Sequence, residues 1–281
     1  MTPGTLYVVA TPIGNLGDLS PRAADVLRSV RAVAAEDTRR TLQLFAHLRA
    51  PAPAMIALPA FDERGRAGAV LARLAAGEDV ALCTDAGTPG VSDPGQQLVQ
   101  AAWEAGATVV PVPGPCAAVA ALAASGLASD RFFVQGFLPR KGGGRAEALE
   151  LLRRLPATIV LYEAGNRTGE TLHELAALLG NRPAAVAREL TKLHEEIARG
   201  TLSTLAARFA EGARGEVTLV VAGAGGEEAR PDLPQEPLEE ELRRRMAAGE
   251  APSGIAREVA KARGLKRAEV YDALERLKHG E

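Results

Sequence analysis

The chain has 281 residues and a formal net charge of −2, and hydrophobic and charged residues make up 47% and 24% of it. These values are typical of an ordinary globular protein with room for two domains, and they exclude a uniformly basic nucleic-acid-binding protein. Because the sequence has no run of 18 apolar residues and its start lacks the basic and apolar regions of a signal peptide, we expect a cytoplasmic protein without a membrane span.

The first half of the chain alternates short apolar strands with helices. Leu6–Ala10 is a continuous apolar run, as expected of a strand that is buried on both faces. Ser20 and Pro21 supply an N-cap and a first turn for a helix that ends at Ser29. This alternation predicts an α/β domain over residues 1–126. Further strands are predicted at Ala32–Ala35, Met55–Leu58, Val80–Cys83 and Val109–Val112, with helices over 62–77, over 96–106 and in the Ala-rich segment before residue 126.

Three loops of glycine, proline and small polar residues each follow a predicted strand and precede a helix. They cover Thr11–Leu19, Asp85–Gly95 and Pro113–Cys116. Such loops converge at the carboxyl edge of a parallel sheet, and their small residues let a ligand lie against the backbone. The Asp85 carboxylate can accept a hydrogen bond from a ligand hydroxyl or amine. The three loops therefore predict a binding site at this edge.

A charged cluster directly follows the second strand. Glu36–Arg40 holds two acids and two arginines where a helix begins, so Asp37 can cap that helix while the others form ion pairs. The same groups can equally face a charged substrate. The sequence leaves both roles open and favours the structural one, because acids are common at helix starts.

The second half repeats the alternation and then changes in composition. It predicts a second α/β domain over residues 127–224, and the proline-rich, acidic residues 225–241 indicate a linker. The basic residues 242–281 form short helical patterns around a turn at Arg263–Gly264. This tail is typical either of a small helix-turn-helix-like domain that contacts phosphates or of a solvated helical hairpin. The second α/β domain is predicted to contain strands in 131–139, 158–165, 184–190 and 216–223, and helices at Glu147–Leu155, Thr168–Leu179 and Leu202–Ala213.

The motifs of several common enzyme classes are absent from the sequence. It contains neither the phosphate-binding pattern GxxxxGK[ST] nor the nucleophile elbow GxSxG, and the first loop offers only Gly14 and Gly17 where a dinucleotide site needs GxGxxG. The four histidines lack metal-ligand spacing, and Cys83 and Cys116 have apolar neighbours. We therefore expect no metal site and no disulfide framework.

Six segments resemble, in order, the motifs of one known family. They are residues 10–23, 34–41, 84–95, 111–122, 133–141 and 161–172. On these segments the chain resembles the tetrapyrrole-methylase superfamily of S-adenosylmethionine-dependent methyltransferases, and most closely its ribosomal branch. Six ordered motifs are far more specific than any single one.

The resemblance implies two α/β domains with a cofactor cleft between them, a small helical C-terminal domain, S-adenosylmethionine as cofactor and a homodimer. It also implies methylation of the ribose 2'-oxygen of a cytidine near the decoding centre of 16S rRNA, as naked RNA or in the assembled small ribosomal subunit. The motifs place the expected cofactor contacts at Pro12, Ile13, Asp85, Gly87, Thr88, Val91, Cys116, Ala117 and Tyr162.

A ribose 2'-hydroxyl is a poor nucleophile at neutral pH, so we expect a positioned base. Asp37 and Lys192 are the catalytic candidates, and Glu36, Glu163 and Glu195 are alternatives. Each of these side chains could instead form a salt bridge.

RNA recognition is expected from the basic residues 139–145, where three cations surround three consecutive glycines. A mobile loop of this kind could close on an RNA backbone, and a solvated surface loop is the alternative. The residues expected to contact the substrate RNA are Arg39, Arg140, Lys141, Arg145 and Arg167.

Two other functions are compatible with the sequence. A tetrapyrrole (precorrin-like) carbon methyltransferase of the same superfamily would not need the basic tail. A non-enzymatic, S-adenosylmethionine-sensing nucleic-acid-binding protein would bind the cofactor without turnover. The ordered motifs favour the rRNA methyltransferase, whereas composition and periodicity alone indicate only a two-domain α/β ligand-binding protein.

Overall fold

The computed structural model of the chain describes residues 2–59, 62–225, 238–263 and 265–279. The chain divides into two compact units, Met1–Arg230 and Pro231–Glu281. The first unit contains two five-stranded sheets, and the described part of the second contains three helices. None of the helices in the described ranges is both long enough and apolar enough to cross a lipid bilayer.

The first sheet is entirely parallel, and its five strands alternate with helices. These elements are β1 (Thr5–Val9), α1 (Pro21–Ser29), β2 (Ala32–Ala35), α2 (Thr38–His47), β3 (Ala54–Ala57), α3 (Glu63–Ala75), β4 (Val80–Cys83), α4 (Gln96–Glu104) and β5 (Thr108–Val112). The strand order is β3-β2-β4-β1-β5. Buried clusters on both faces of the sheet explain why β2 and β4 are continuous apolar runs. The Ser20 hydroxyl accepts from the Ala23 N–H at 3.1 Å, which confirms the predicted N-cap of α1.

The second sheet is mixed, and its strands and their connecting helices are the remaining elements of the first unit. They are α5 (Ala117–Ser125), β6 (Phe132–Phe137), α6 (Gly143–Arg154), β7 (Thr158–Ala164), α7 (Thr168–Leu179), β8 (Pro183–Arg188), β9 (Glu196–Thr201), α8 (Leu202–Arg208) and β10 (Glu216–Val221). The order is β6-β7-β10-β8-β9, in which only β6 and β7 pair in parallel. Strand β9 was not predicted, because this edge strand has no continuous apolar run. The helix predicted over Leu202–Ala213 ends earlier, at Arg208.

Helix α5 follows the first sheet in the chain but packs on the second. Ala118, Ala121 and Leu122 lie in one buried cluster with Val160 of β7 and Val220 of β10. The small side chains allow the helix to lie close to these strands. A domain boundary after residue 126 would separate α5 from the sheet that it covers, so α5 connects the two sheets. The boundaries at 126 and 224 remain predictions.

The second unit contains α9 (Leu238–Ala247), α10 (Pro252–Arg263) and α11 (Arg267–His279), which share one buried apolar cluster. The Arg245 guanidinium on α9 binds Glu250, and it lies 2.7 Å from Glu258 on α10. The hydrogen bond with Glu250 is the largest cause of a raised pKa at Arg245. Of the linker predicted over 225–241, residues 226–237 lie outside the described residues, as does Gly264 of the predicted turn.

Candidate cofactor and RNA site

The three glycine-rich loops meet at the carboxyl edge of the first sheet, as the sequence predicts. Thr11 and Gly87 exchange two backbone hydrogen bonds of 2.8 and 3.0 Å, which join the first loop to the second. The Thr88 hydroxyl donates to the Pro115 carbonyl at 3.2 Å, which joins the second loop to the third. Gly87 has a φ of +82°, a conformation that a residue with a Cβ adopts only under strain.

These loops form one wall of a cavity of about 640 Å³, and the strand ends of the second sheet form the other. The expected catalytic residue Lys192 lines the cavity, whereas Asp37, Pro12 and Asp85 do not. A volume of this size suits a small-molecule cofactor. The expected cofactor residues that line the cavity are Ile13, Gly87, Thr88, Val91, Cys116, Ala117 and Tyr162.

Asp85 lies beside the cavity and connects two loops of the first sheet. Its Oδ1 accepts from the Asp37 N–H at 3.0 Å, and its Oδ2 lies 3.4 Å from Arg40 Nε. Its own N–H donates to Glu36 Oε2 at 3.2 Å. This network gives Asp85 a structural role between β2 and β4, and its expected contact with the cofactor stays a prediction.

Asp37 caps helix α2. Its carboxylate accepts from the Arg39 N–H at 2.9 Å and from the Arg39 guanidinium at 2.7 Å, which confirms the capping role that the sequence favours. The hydrogen bond from the Arg39 side chain is the main cause that lowers the pKa of Asp37 to about 2. A carboxylate this acidic is a weak proton acceptor at neutral pH, so the geometry favours the cap over a base.

Lys192 faces the cavity as part of an ion-pair group. Its Nζ lies 2.9 Å from Glu189 Oε1 and 3.5 Å from Glu216 Oε2, and the hydrogen bond with Glu189 raises its pKa. A lysine held protonated in this way cannot accept a proton near neutral pH. Glu189 and Thr191 have φ values of 49° and 67°, a backbone conformation that is uncommon and costly for residues with a side chain.

The first loop allows this segment to approach closely because it has a glycine at position 14. A Cβ on Gly14 would lie 2.5 Å from Lys192 Cγ and 3.1 Å from the Leu190 carbonyl oxygen. The Gly14 position therefore lets the loop after β8 pack directly on the loop after β1, and Lys192 can lie in the cavity wall.

Asp93 is an acid of the cavity wall that the sequence analysis did not select. Its carboxylate is half-buried and has no hydrogen-bond or ion-pair partner within the described parts of the chain. Burial is the main cause that raises its pKa to about 6, followed by the nearby charges of Glu36, Asp85 and Glu216. Its position in the second loop is the only feature of the sequence that indicates a role for Asp93 at this site.

Glu163 lies in the opposite wall and pairs with Arg167. Glu163 is 3% exposed, and its carboxylate accepts from the Thr171 hydroxyl at 2.6 Å. The Arg167 Nη1 lies 3.6 Å from Glu163 Oε1. Arg167 therefore neutralises a buried acid, and its expected contact with RNA stays a prediction.

Arg145 lies in a helix and not in a mobile loop, because α6 begins at Gly143. The residue is 8% exposed, and its guanidinium binds Glu174 at 3.0 Å and the Pro139 carbonyl at 2.9 Å. These bonds use the groups that an RNA phosphate would need, so the structure argues for a stabilising role. Arg140 and Lys141 are exposed.

This difference gives a testable pair of variants. We expect Arg145→Ala to lower the free energy of unfolding by about 2 kcal/mol, because it leaves Glu174 without its partner, and to change the RNA affinity of the folded protein little. Arg140→Ala should weaken RNA binding and change the free energy of unfolding little. Urea unfolding and filter binding with 16S rRNA measure the two quantities, and a full loss of RNA affinity in folded Arg145→Ala would contradict the assignment.

Comparison with known proteins identifies the family. Residues 5–206 match the model of the tetrapyrrole (corrin/porphyrin) methylases. The chain belongs to this family. The ribosomal RNA small subunit methyltransferase I of Synechocystis sp. is 48% identical to it over 270 residues, which cover 95% of this chain and 96% of the relative. The protein of the same name from Xylella fastidiosa is 50% identical over 81% of this chain and 85% of its own.

Solved structures of other proteins also match the fold of this chain. The uroporphyrin-III C-methyl transferase of Thermus thermophilus, complexed with S-adenosyl homocysteine, matches this chain with a TM-score of 0.56 and 22% identity. The match covers 81% of this chain and 99% of that one. Together with the relatives, it confirms the family and the fold that the six ordered motifs indicate.

Proposed function

We propose that this tetrapyrrole-methylase family member is an S-adenosylmethionine-dependent methyltransferase. Its substrate is the ribose 2'-oxygen of a cytidine in the 16S rRNA of the small ribosomal subunit. The observation that carries the proposal is the 48% identity, over nearly the whole chain, to a ribosomal RNA small subunit methyltransferase I. Similarity to a tetrapyrrole methyltransferase is only 22% and supports the fold alone.

The cavity fits the cofactor. Its volume of about 640 Å³ lies in the range of about 300–1,000 Å³ that is usual for small-molecule sites. Apolar and small residues from the three loops form one wall, and the Asp93 carboxylate, which has no partner among the residues that the structure describes, suits a ligand that carries positive charge. When bound, S-adenosylmethionine supplies a methyl group activated on a positively charged sulfur. The residues proposed to hold it are Ile13, Gly87, Thr88, Val91, Cys116, Ala117 and Tyr162, with Pro12 and Asp85 behind them.

Asp93 is the proton acceptor that we propose for the 2'-hydroxyl, in place of Asp37. A pKa near 6 leaves the carboxylate ionised at pH 7 and still basic enough to take a proton. Lys192 remains a cation between Glu189 and Glu216, and its proposed role is to hold the loop after β8 against the cavity. The converging loops limit the access of water to the reacting oxygen.

We propose that the exposed side chains of Arg39, Arg140 and Lys141 contact RNA phosphates, so binding should weaken steeply with salt. We further propose that the protein acts in the cytoplasm as a homodimer on 16S rRNA, either as naked RNA or in the assembled small subunit. The predicted two α/β domains and the helical tail are the proposed domain organisation.

The function is tested by transfer of radiolabelled methyl from S-adenosylmethionine to purified small subunits, naked 16S rRNA and a tetrapyrrole precursor. We expect label in RNA, in a dinucleotide that survives alkaline hydrolysis because its 2'-oxygen is blocked. Label in the tetrapyrrole alone would contradict the proposal that RNA is the substrate. Cofactor binding without label in any of the three would favour the sensor alternative.

A further inference from the structure

Strand β6 contains a bulge next to the cavity. The strand is in register with β7 up to Val134, which pairs with Val160, and again from Gly136, which pairs with Leu161. Gln135 is therefore an extra residue. Because side chains alternate along a strand, one extra residue moves every later side chain to the opposite face of the sheet.

The bulge turns Phe137 from the core toward the cavity. In a regular strand, with Gln135 paired in the ladder, Phe137 would share a face with Phe133, which packs against the buried core on the far side of the sheet. With the bulge, Phe137 pairs with Tyr162, and both side chains line the cavity. The two ring centroids lie 5.5 Å apart at an interplanar angle of 50°. Phe137 is 61% exposed, so it lies at the rim of the cavity with much of its ring in solvent.

Gly136 makes this arrangement possible. Its φ is +70°, and a Cβ there would lie 2.9 Å from the Ser92 Oγ. Ser92 precedes Asp93 in the second loop and itself has a φ of 62°. Glycine adopts a positive φ without strain, whereas Ser92 pays for it, and strained non-glycine residues of this kind cluster at ligand sites. The bulge thus places Phe137 beside the loop that carries Asp93.

Two exposed cations, Arg140 and Lys141, follow Phe137 on the same segment. In the ranges that the structure describes, neither side chain forms an ion pair. Proteins that bind unpaired RNA combine cations for the phosphates with exposed aromatic rings on which bases stack. Phe137 lies at the rim of the cavity, and the two exposed cations follow it by three and four residues, so one segment presents both groups.

We infer that Phe137 is a stacking site for an unpaired nucleobase of the RNA substrate. The inference rests on the proposed function, in which an unpaired nucleotide that has left the RNA stack presents its ribose 2'-oxygen to the cavity. Unstacking costs free energy, and an aromatic face at the rim offsets that cost. Phe137 is therefore a positioning residue for RNA and has no part in proton transfer.

The test compares full-length variants in steady-state methyl transfer to small ribosomal subunits. Phe137→Ala should raise the KM for subunits by about 5- to 150-fold, the loss typical of one stacked base, and leave the KM for S-adenosylmethionine and the Tm unchanged. Phe137→Trp should restore the KM. The matched control is Phe132→Ala on the same strand, where the side chain is 46% exposed and does not line the cavity.

A fluorescent cytidine analogue at the methylated position of an RNA fragment gives a direct readout. Its emission should be quenched by the wild-type protein and by Phe132→Ala, and not by Phe137→Ala. An unchanged KM in Phe137→Ala would overturn the inference. A raised KM for the cofactor alone, or a change in oligomeric state, would also overturn it, because the ring would then contact cofactor or a second chain.

The failures of the two proposals can be told apart. If the wild-type protein methylates RNA and Phe137→Ala is equally active, the stacking site is wrong and the function stands. If the wild-type protein labels none of the RNA substrates, the function fails and the stacking site with it.

Discussion

Asp93→Asn is expected to lower kcat for methyl transfer by about a hundredfold or more, because a positioned base contributes at least that much to removal of a hydroxyl proton. Asparagine keeps the size of the side chain and cannot accept the proton. The KM values for cofactor and RNA should change much less. Single-turnover transfer of radiolabelled methyl to small subunits measures the effect, and Asp130→Asn, an exposed acid elsewhere in the first unit, is the control.

The pH dependence of the reaction provides a second readout for Asp93. Its pKa is raised to about 6, so the wild-type rate should rise as the pH passes through about 6 and the carboxylate becomes ionised. The residual rate of Asp93→Asn should not show this rise near pH 6. A variant that keeps both the wild-type rate and the wild-type profile would show that another group takes the proton.

The same raised pKa makes a prediction about stability. A carboxyl whose pKa is higher in the folded state contributes stability at low pH and loses it as the pH rises from about 3.8 to about 6. Asp93→Asn should therefore have a higher Tm than the wild type at pH 8, with the difference vanishing below pH 3.8. Thermal unfolding at both pH values distinguishes the loss of a proton acceptor from misfolding, because a misfolded variant would have a lower Tm than the wild type.

Gly165→Ala is expected to lower the free energy of unfolding by about 3 kcal/mol and to weaken cofactor binding. The Gly165 N–H donates to the Gly215 carbonyl at 3.1 Å, and its carbonyl accepts from the Ala213 N–H at 2.7 Å. A Cβ at this position would lie 2.3 Å from the Ala213 oxygen and 2.6 Å from the Gly215 oxygen. Both contacts are backbone, so they can be relieved only by breaking the hydrogen bonds that shape the cavity wall.

Urea unfolding and calorimetric titration with S-adenosylmethionine measure the two effects of this substitution. Gly143→Ala is the control, since a Cβ there meets nothing within 4 Å and α6 begins at this residue. It should leave the stability unchanged or raise it slightly, because alanine favours helix. A Gly165→Ala protein as stable as this control would mean that the loops around Gly165 can move apart without cost.

Much of the fold follows from local features of the sequence. Continuous apolar runs predicted every strand of the parallel sheet, and the Ser20 and Asp37 caps placed the starts of two helices. These signals are local, because strand burial and capping depend on residues a few positions apart. The convergence of the three loops also followed, since parallel strands end at a common edge.

Other features depend on contacts between distant parts of the chain. The packing of α5 on the second sheet, the burial of Arg145 against Glu174 and the pairing of β9 could not be predicted from periodicity. For the same reason the sequence pattern predicted Arg145 as an RNA contact in a mobile loop, whereas the folded chain buries Arg145 in α6.

The amino-acid sequence by itself determined the family, the three converging loops and the strands of the first sheet, because ordered motifs and hydrophobic runs consist of consecutive residues. Only the tertiary structure decided that Asp93 is half-buried in the cavity wall and that the Phe137 ring faces the cavity. The pKa of Asp93 depends on burial and on charges from three other segments, and the direction of Phe137 depends on one extra residue in β6. Both are properties of neighbours in space.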